Sequence, residues 1–183
     1  RFQDKKGLIY VQVTRGIQTP RDHKYQKNSN PTLLITLSKK DDLGCADATP
    51  ISVTIKNDFR WGRADIKVTS LIANVMLKNQ AINQGFDDVI LLRDGKVTEA
   101  TTANVFAIKR NVIFTPEKSN YLLHGITRDL VIDLCLNHKF DVREEPITEN
   151  FLLVADEVWL TSSGSEIRPV SRIGEKILGE NAW

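Results

Sequence analysis

Lys67 lies in the stretch "RWGRADIKVTS", residues 60–70, with Arg60 and Arg63 just before it and Ile66 and Val68 beside it. A lysine attacks a carbonyl only as its neutral amine. Burial and neighbouring positive charge both disfavour the ammonium form, so a nucleophilic amine could arise in such a setting. In an extended segment Asp65 and Lys67 would share one face, and Ile66 and Val68 the other. The ordinary alternative is a solvated lysine ahead of a helix, and the local residues leave that alternative standing.

Other residue types add to this picture. "GITRD", residues 125–129, places Gly125, Ile126 and Thr127 at a predicted helix start. Free N–H groups and the helix dipole favour a phosphate at such a start, and the Thr127 hydroxyl can add a donor or cap the helix. "TSSGSE", residues 161–166, offers serine hydroxyls and backbone N–H groups to an anion, or simply turns the chain. Neither stretch matches the P-loop or dinucleotide fingerprint. Glu99, in "KVTEATTANVF", could pair with a cationic nitrogen or stand as a solvated strand-end charge. "PRDH" sets Arg21 and His23 two apart, so in an extended chain both face one way and could hold a carboxylate, with arginine as the bidentate partner. The three histidines are scattered and make no metal site.

These residues need elements to position them. Residues 8–14 and "TLLITLS" read as strands on either side of a Pro-bounded loop. "KKDDLGCADATP" reads as an interdomain linker, which divides the chain into residues 1–43 and 44–183. "ISVTIKN" is a third strand. In "SLIANVMLKNQAINQG" the residues Leu71, Ile72, Val75, Met76, Asn79 and Ile82 recur near helical spacing, with Ser70 as cap and Gly85 as stop. "DVILLRDGKVTEA" and "NVFAIKRNVIFTP" read as hairpins, the first around Asp-Gly. The helix from "GITRD" turns Leu130, Val131, Leu134 and Cys135 inward. "TENFLLVA" is a short helix capped by Thr148, "DEVWLTSSGSEIRPV" a buried strand entering a hydroxyl-rich loop, and "RPVSRIGEKILG" a last hairpin around Gly174. This mixture lacks a strict βαβ rhythm and predicts an α+β fold with a mixed sheet.

Composition narrows the classes further. The chain has 183 residues, is 41% hydrophobic and carries a formal charge of +2 with the signs interspersed, so it shows no electrostatic footprint for nucleic acid. No apolar run is long enough to span a bilayer, and no signal peptide opens the sequence. Cys45 and Cys135 lack metal-ligand spacing. Reduced thiols in a cytoplasmic protein are the simplest reading, and a single disulfide is the alternative.

Taken together and in this order, "VQVTRGIQTPRDH", "RWGRADIKVTSLIANVMLKNQA", "VTEATTANVFAI", "GITRDLVI" and "DEVWLTSSGSEIRPV" resemble the class IV (fold type IV) pyridoxal-phosphate aminotransferases, closest to the branch acting on D-amino acids. The resemblance implies the large domain of that fold, with mixed sheets and flanking helices, over residues 44–183. It makes residues 1–43 the tail of a small α/β domain. It also implies pyridoxal 5′-phosphate (PLP) as cofactor, with Lys67 forming the Schiff base and shuttling a proton. By position, Glu99 pairs with the pyridine nitrogen, Thr102 approaches the cofactor and Leu123 packs on its ring. Ile126, Thr127 and Ser163 match the phosphate-binding positions, and Arg21 and His23 match the pair that traps the substrate carboxylate. That pair points to D-alanine or similar D-amino acids as donors and to 2-oxo acids such as 2-oxoglutarate as acceptors. The other members of this fold are 4-amino-4-deoxychorismate lyases and branched-chain aminotransferases, and a non-catalytic relative is a further alternative. A cytoplasmic homodimer is implied as well. The family's phosphate-binding arginine, substrate tyrosine and final helix have no counterpart among these residues. Gly164 stands where threonine is common, and Arg168 is not the family's usual residue.

Overall fold

A computed structural model describes residues 7–39 and 49–179. The chain divides into two compact units, Arg1–Leu43 and Gly44–Trp183. Cys45 and most of the expected linker lie outside the described residues.

In the first unit β1 (Gly7–Thr14) and β2 (Thr32–Lys39) pair antiparallel, from Gly7 opposite Lys39 to Thr14 opposite Thr32. This register sets Ile9, Val11 and Val13 against Leu37, Ile35 and Leu33 on one face. The loop between the strands needs glycine at Gly16. Its φ is +89°, and a Cβ there would meet the Asn30 carbonyl oxygen at 1.8 Å.

Among the described residues the second unit is built on one nine-stranded mixed sheet. Its strands are β3 (Ile51–Asn57), β4 (Asp88–Arg93), β5 (Lys96–Ala100), β6 (Asn104–Lys109), β7 (Val112–Thr115), β8 (Asp141–Glu144), β9 (Glu157–Ser162), β10 (Glu166–Ile173) and β11 (Lys176–Ile177). The order is β5-β4-β3-β10-β9-β6-β7-β8, with β11 on β10. Strand β10 joins the halves of the sheet. Its first part pairs antiparallel with β9, and beyond a register shift near Val170 its second part runs parallel to β3. Two parallel pairs have a helix between their strands: β3–α1 (Ile72–Asn83)–β4 and β7–α2 (Ile126–Asn137)–β8. In open sheets ligands lie beyond the carboxyl ends of such strands. Here those ends lead into residues 58–71 and 116–125.

Period-2 alternation explains the packing. Ile90 and Leu92 of β4, Val105 and Ala107 of β6, Val158 and Leu160 of β9 and Val170 of β10 enter one core. For strands far apart in the sheet order to share a core, the sheet must curl around it. The intervening residues face outward to the helices. Val89 and Leu91 meet Leu77 and Ala81 of α1, while Phe106 and Ile108 meet Val131 and Ile132 of α2.

The turns follow their residue types. Asp94-Gly95 (φ 51° and 74°) and Arg110-Asn111 (φ 49° and 62°) are both left-handed, as a two-residue hairpin requires. Gly85 ends α1, and Thr148 caps α3 (Glu149–Leu153) by accepting the Phe151 N–H at 3.2 Å.

Three expectations are corrected. Ser70 does not cap α1: Leu71 is the N-cap residue, and no side chain bonds to that end. The buried residues of α1 are Leu77 and Ala81, whereas Leu71, Ile72, Val75, Met76 and Ile82 are exposed. The helix rests on β4 through a narrow stripe of positions i and i+4, too narrow to cover the wider apolar face. Leu130 and Leu134 of α2 are likewise exposed; Val131 is buried as expected, and Arg128 and Ile132 are buried beside it. Strand β8 has no counterpart in the sequence reading, because a mostly exposed "DVRE" edge shows no apolar alternation.

Candidate active site

The segment after β3 begins inside the protein. The Asp58 N–H donates to the Leu92 carbonyl at 2.6 Å. Its carboxylate is gripped by Arg60, through Nε to Oδ1 at 2.9 Å and Nη2 to Oδ2 at 2.8 Å, and receives the Thr98 hydroxyl at 2.9 Å. Arg60 also donates through Nη1 to Glu99 Oε1 and through Nη2 to the Tyr121 carbonyl at 3.0 Å. Arg93 Nη2 holds the Arg60 carbonyl at 2.7 Å, and its guanidinium lies 4.4 Å from the centre of the Tyr121 ring. The Arg60 and Glu99 side chains are only 6% and 8% exposed.

Burial and pairing compete in this cluster. Burial raises the Asp58 carboxyl, but the Arg60 hydrogen bonds and charge, aided by Thr98, hold it below its ordinary value. For Glu99 burial wins and pushes the carboxyl above its ordinary value, against the Arg60 charge and the Leu123 N–H. Burial lowers Arg60, but its two carboxylate partners outweigh that and raise it.

Glu99 on β5 ties this cluster to the start of α2. Its second oxygen accepts the Leu123 N–H at 3.0 Å. Asn104, the first residue of β6, donates to the Leu123 carbonyl at 2.8 Å. The chain then passes so close to Asn104 that a Cβ on Gly125 would lie 2.1 Å from Asn104 Oδ1, so any larger residue would displace the Asn104 side chain. Gly125 is the N-cap position of α2, and no side chain caps the first turn. Ile126 is exposed and Thr127 half-buried there.

Of the remaining residues, Ser163 lies at the same end of the sheet as Asn104. Asn104 pairs with Thr161 across β6 and β9, so the exposed Ser163 sits in the turn just beyond that pair. Thr102 is exposed in the link between β5 and β6, beside Thr101, whose carbonyl accepts the Asn74 side chain at 2.7 Å. Lys67 is exposed, and with the described residues it makes no hydrogen bond or ion pair. Its segment turns rather than running extended, with the Ile66 N–H on the Arg63 carbonyl at 3.2 Å, and it touches the loop before α2 through Asp65 N–H to the Asn120 carbonyl at 3.3 Å.

One electrostatic expectation fails. Arg60 is committed to Asp58 and Glu99, and Arg63 to Asp65 at 2.9 Å, so neither is a free cation beside Lys67. Sequence reasoning missed Asp58, Arg93 and Asn104 and did not place Arg60 on Glu99. Asn104 left one signal, a polar residue opening an apolar strand. Arg21 and His23 belong to the first unit, exposed in the loop between β1 and β2. Among the described residues no His, Cys, Asp and Glu cluster could hold a metal, and no helix is long and apolar enough to cross a membrane. Burial raises the half-buried Cys135 thiol.

The family model "Amino-transferase class IV" matches residues 1–173. The D-alanine aminotransferase of Bacillus licheniformis is 37% identical over 180 residues, which cover 98% of this chain and 63% of that protein. The chain thus spans less than two thirds of that relative. Among solved structures, a putative 4-amino-4-deoxychorismate lyase from Legionella pneumophila superposes with TM-score 0.78 at 26% identity, covering 94% of this chain and 63% of the other. An aminotransferase from Brucella abortus bound to the cofactor PLP shares the fold, with TM-score 0.84 at 22% identity over 96% of this chain and 63% of the other.

Proposed function

The chain belongs to the class IV aminotransferases, and we propose that the protein is a PLP-dependent D-amino acid aminotransferase, moving an amino group between D-alanine or a similar D-amino acid and a 2-oxo acid such as 2-oxoglutarate. The observation that carries this reading is the 37% identity to a D-alanine aminotransferase across 98% of the chain. On the same reading residues 1–43 end a small domain and residues 44–183 form the large one, supported by the division after Leu43. A cytoplasmic homodimer, as family membership implies, completes it.

The residues present fit the cofactor. Bound PLP supplies an electron sink for the charge that develops on the substrate Cα. Lys67 offers an exposed amine without a competing partner, suited to covalent attachment and to carrying a proton to and from that carbon. Glu99 holds a carboxylate in a dry setting. Each oxygen already accepts one N–H and keeps acceptor capacity for a pyridine N–H. Leu123, held between Glu99 and Asn104, provides an apolar surface for the ring. The uncapped start of α2 directs the N–H groups of Ile126 and Thr127 at an anion, and Ser163 adds a hydroxyl for the phosphate. Thr102, exposed between β5 and β6, matches the family position that approaches the cofactor. Arg21 and His23 hold the substrate carboxylate, Arg21 through its planar fork.

The test is a coupled assay on the full chain with PLP. D-alanine and 2-oxoglutarate should yield pyruvate and D-glutamate. Turnover of L-branched-chain donors with none of D-alanine would contradict the D assignment. Pyruvate released from 4-amino-4-deoxychorismate without a 2-oxo acid would identify a lyase.

A further inference from the structure

None of the roles assigned above uses Arg60, although its side chain is buried at the centre of the site. Its guanidinium cannot swing. Nε and Nη2 hold both oxygens of Asp58 at 2.9 and 2.8 Å, Nη2 also reaches the Tyr121 carbonyl at 3.0 Å, and Arg93 fixes the Arg60 carbonyl at 2.7 Å. That leaves Nη1 aimed at Glu99 Oε1, while Oε2 is held by the Leu123 N–H at 3.0 Å.

The groups around Glu99 are few. Asp58 and Arg60 come from the segment after β3, Arg93 from β4 and Tyr121 from the loop before α2. Asp58 is a second anion that opposes ionisation of Glu99, and Arg93 lies 3.4 Å from Asp58 rather than on Glu99. Among the described residues Arg60 is therefore the cation in direct contact with Glu99. A buried carboxylate deprived of its cation takes up a proton. A neutral Glu99 would no longer favour a proton on a pyridine nitrogen beside it.

We propose that Arg60 is a positioning residue that keeps Glu99 an oriented anion and thereby fixes the protonation of the cofactor's ring nitrogen. The inference rests on the cofactor reading given above. Burial works against it, and the charge and hydrogen bond of Arg60 counter that burial.

Carbon NMR of the full chain labelled at the glutamate carboxyl carbon tests it, with the Glu99 signal assigned by its loss in Glu99→Gln. In cofactor-free protein, Arg60→Met should raise the Glu99 titration midpoint by about one to three pH units, the span an adjacent opposite charge commands. Arg60→Lys should raise it less, because the ammonium keeps the charge but lacks the fork that serves both carboxylates. In protein loaded with PLP carrying a nitrogen-15 label in the ring, Arg60→Met should move the ring signal toward the unprotonated form, and Arg60→Lys should restore part of it. An identical Glu99 midpoint in all three proteins overturns the proposal. If Arg60→Met does not fold, Arg60→Lys decides alone: a raised midpoint supports the proposal and an unmoved one overturns it. A wild-type protein that takes up no PLP refutes the cofactor reading, and with it the link to the ring nitrogen, whatever the Glu99 titration shows.

Discussion

Two residues carry opposite demands. On the proposed reading Lys67 must be reachable and free to move, and it is exposed without a partner among the described residues. Glu99 must be dry and fixed, and it is buried between Arg60 and Leu123. Lys67→Ala should therefore abolish turnover, a loss larger than the roughly 10²–10⁴-fold of a single general acid–base group because covalent attachment is lost too. Its stability should stay within about 0.5 kcal/mol of wild type, as for other exposed substitutions, measured by urea unfolding. A comparable loss of stability would mean that Lys67 is structural.

Protonation at Asp58 and Glu99 should tilt stability in opposite directions. Asp58 has a lowered folded value, so its stabilising contribution is present above the ordinary aspartate range and is lost as pH falls through the folded value. Glu99 has a raised folded value, so its contribution is complete below the ordinary glutamate range and is lost as pH rises through the folded value. Urea titrations across the acid range should show the difference between wild type and Asp58→Asn growing with pH, and the difference between wild type and Glu99→Gln shrinking. Equal slopes of one sign would contradict the burial argument.

At the scale of the elements, the site depends on where two segments leave parallel strands and enter helices. Leu77 anchors α1 on β4, and Leu77→Ala should cost about 2–5 kcal/mol. Thr148→Ala should cost about 1 kcal/mol through its lost cap, in a fold that keeps the site. Both are read from urea midpoints at unchanged slope. Gly125→Ala is different in kind. The added methyl meets the Asn104 side chain, so that side chain, which holds the Leu123 carbonyl, must move, and PLP affinity should fall more than stability does.

These elements also show what the sequence made legible. The Asp-Gly hairpin, the Gly85 stop and the Thr148 cap were readable because each is decided by a residue and its immediate neighbours. The buried stripe of α1 was not, because it is chosen by the width of the sheet beneath. Strand β8 was invisible because an exposed edge needs no apolar pattern. Placing Arg60 on Glu99 required knowing that residues 39 apart in sequence meet across β3, β4 and β5.

For the molecule as a whole, hydrogen bonds tie the segment after β3 to β5 and to the loop before α2. Arg21 and His23, proposed to hold the substrate carboxylate, belong to the first unit. The account stands or falls on covalent chemistry at one nitrogen. The direct measurement is borohydride reduction of the full chain with PLP, followed by peptide mapping by mass spectrometry. The account predicts a phosphopyridoxyl mass on the peptide containing Lys67, its appearance prevented by prior incubation with D-alanine. A label spread over surface lysines, or absent from Lys67, would contradict it.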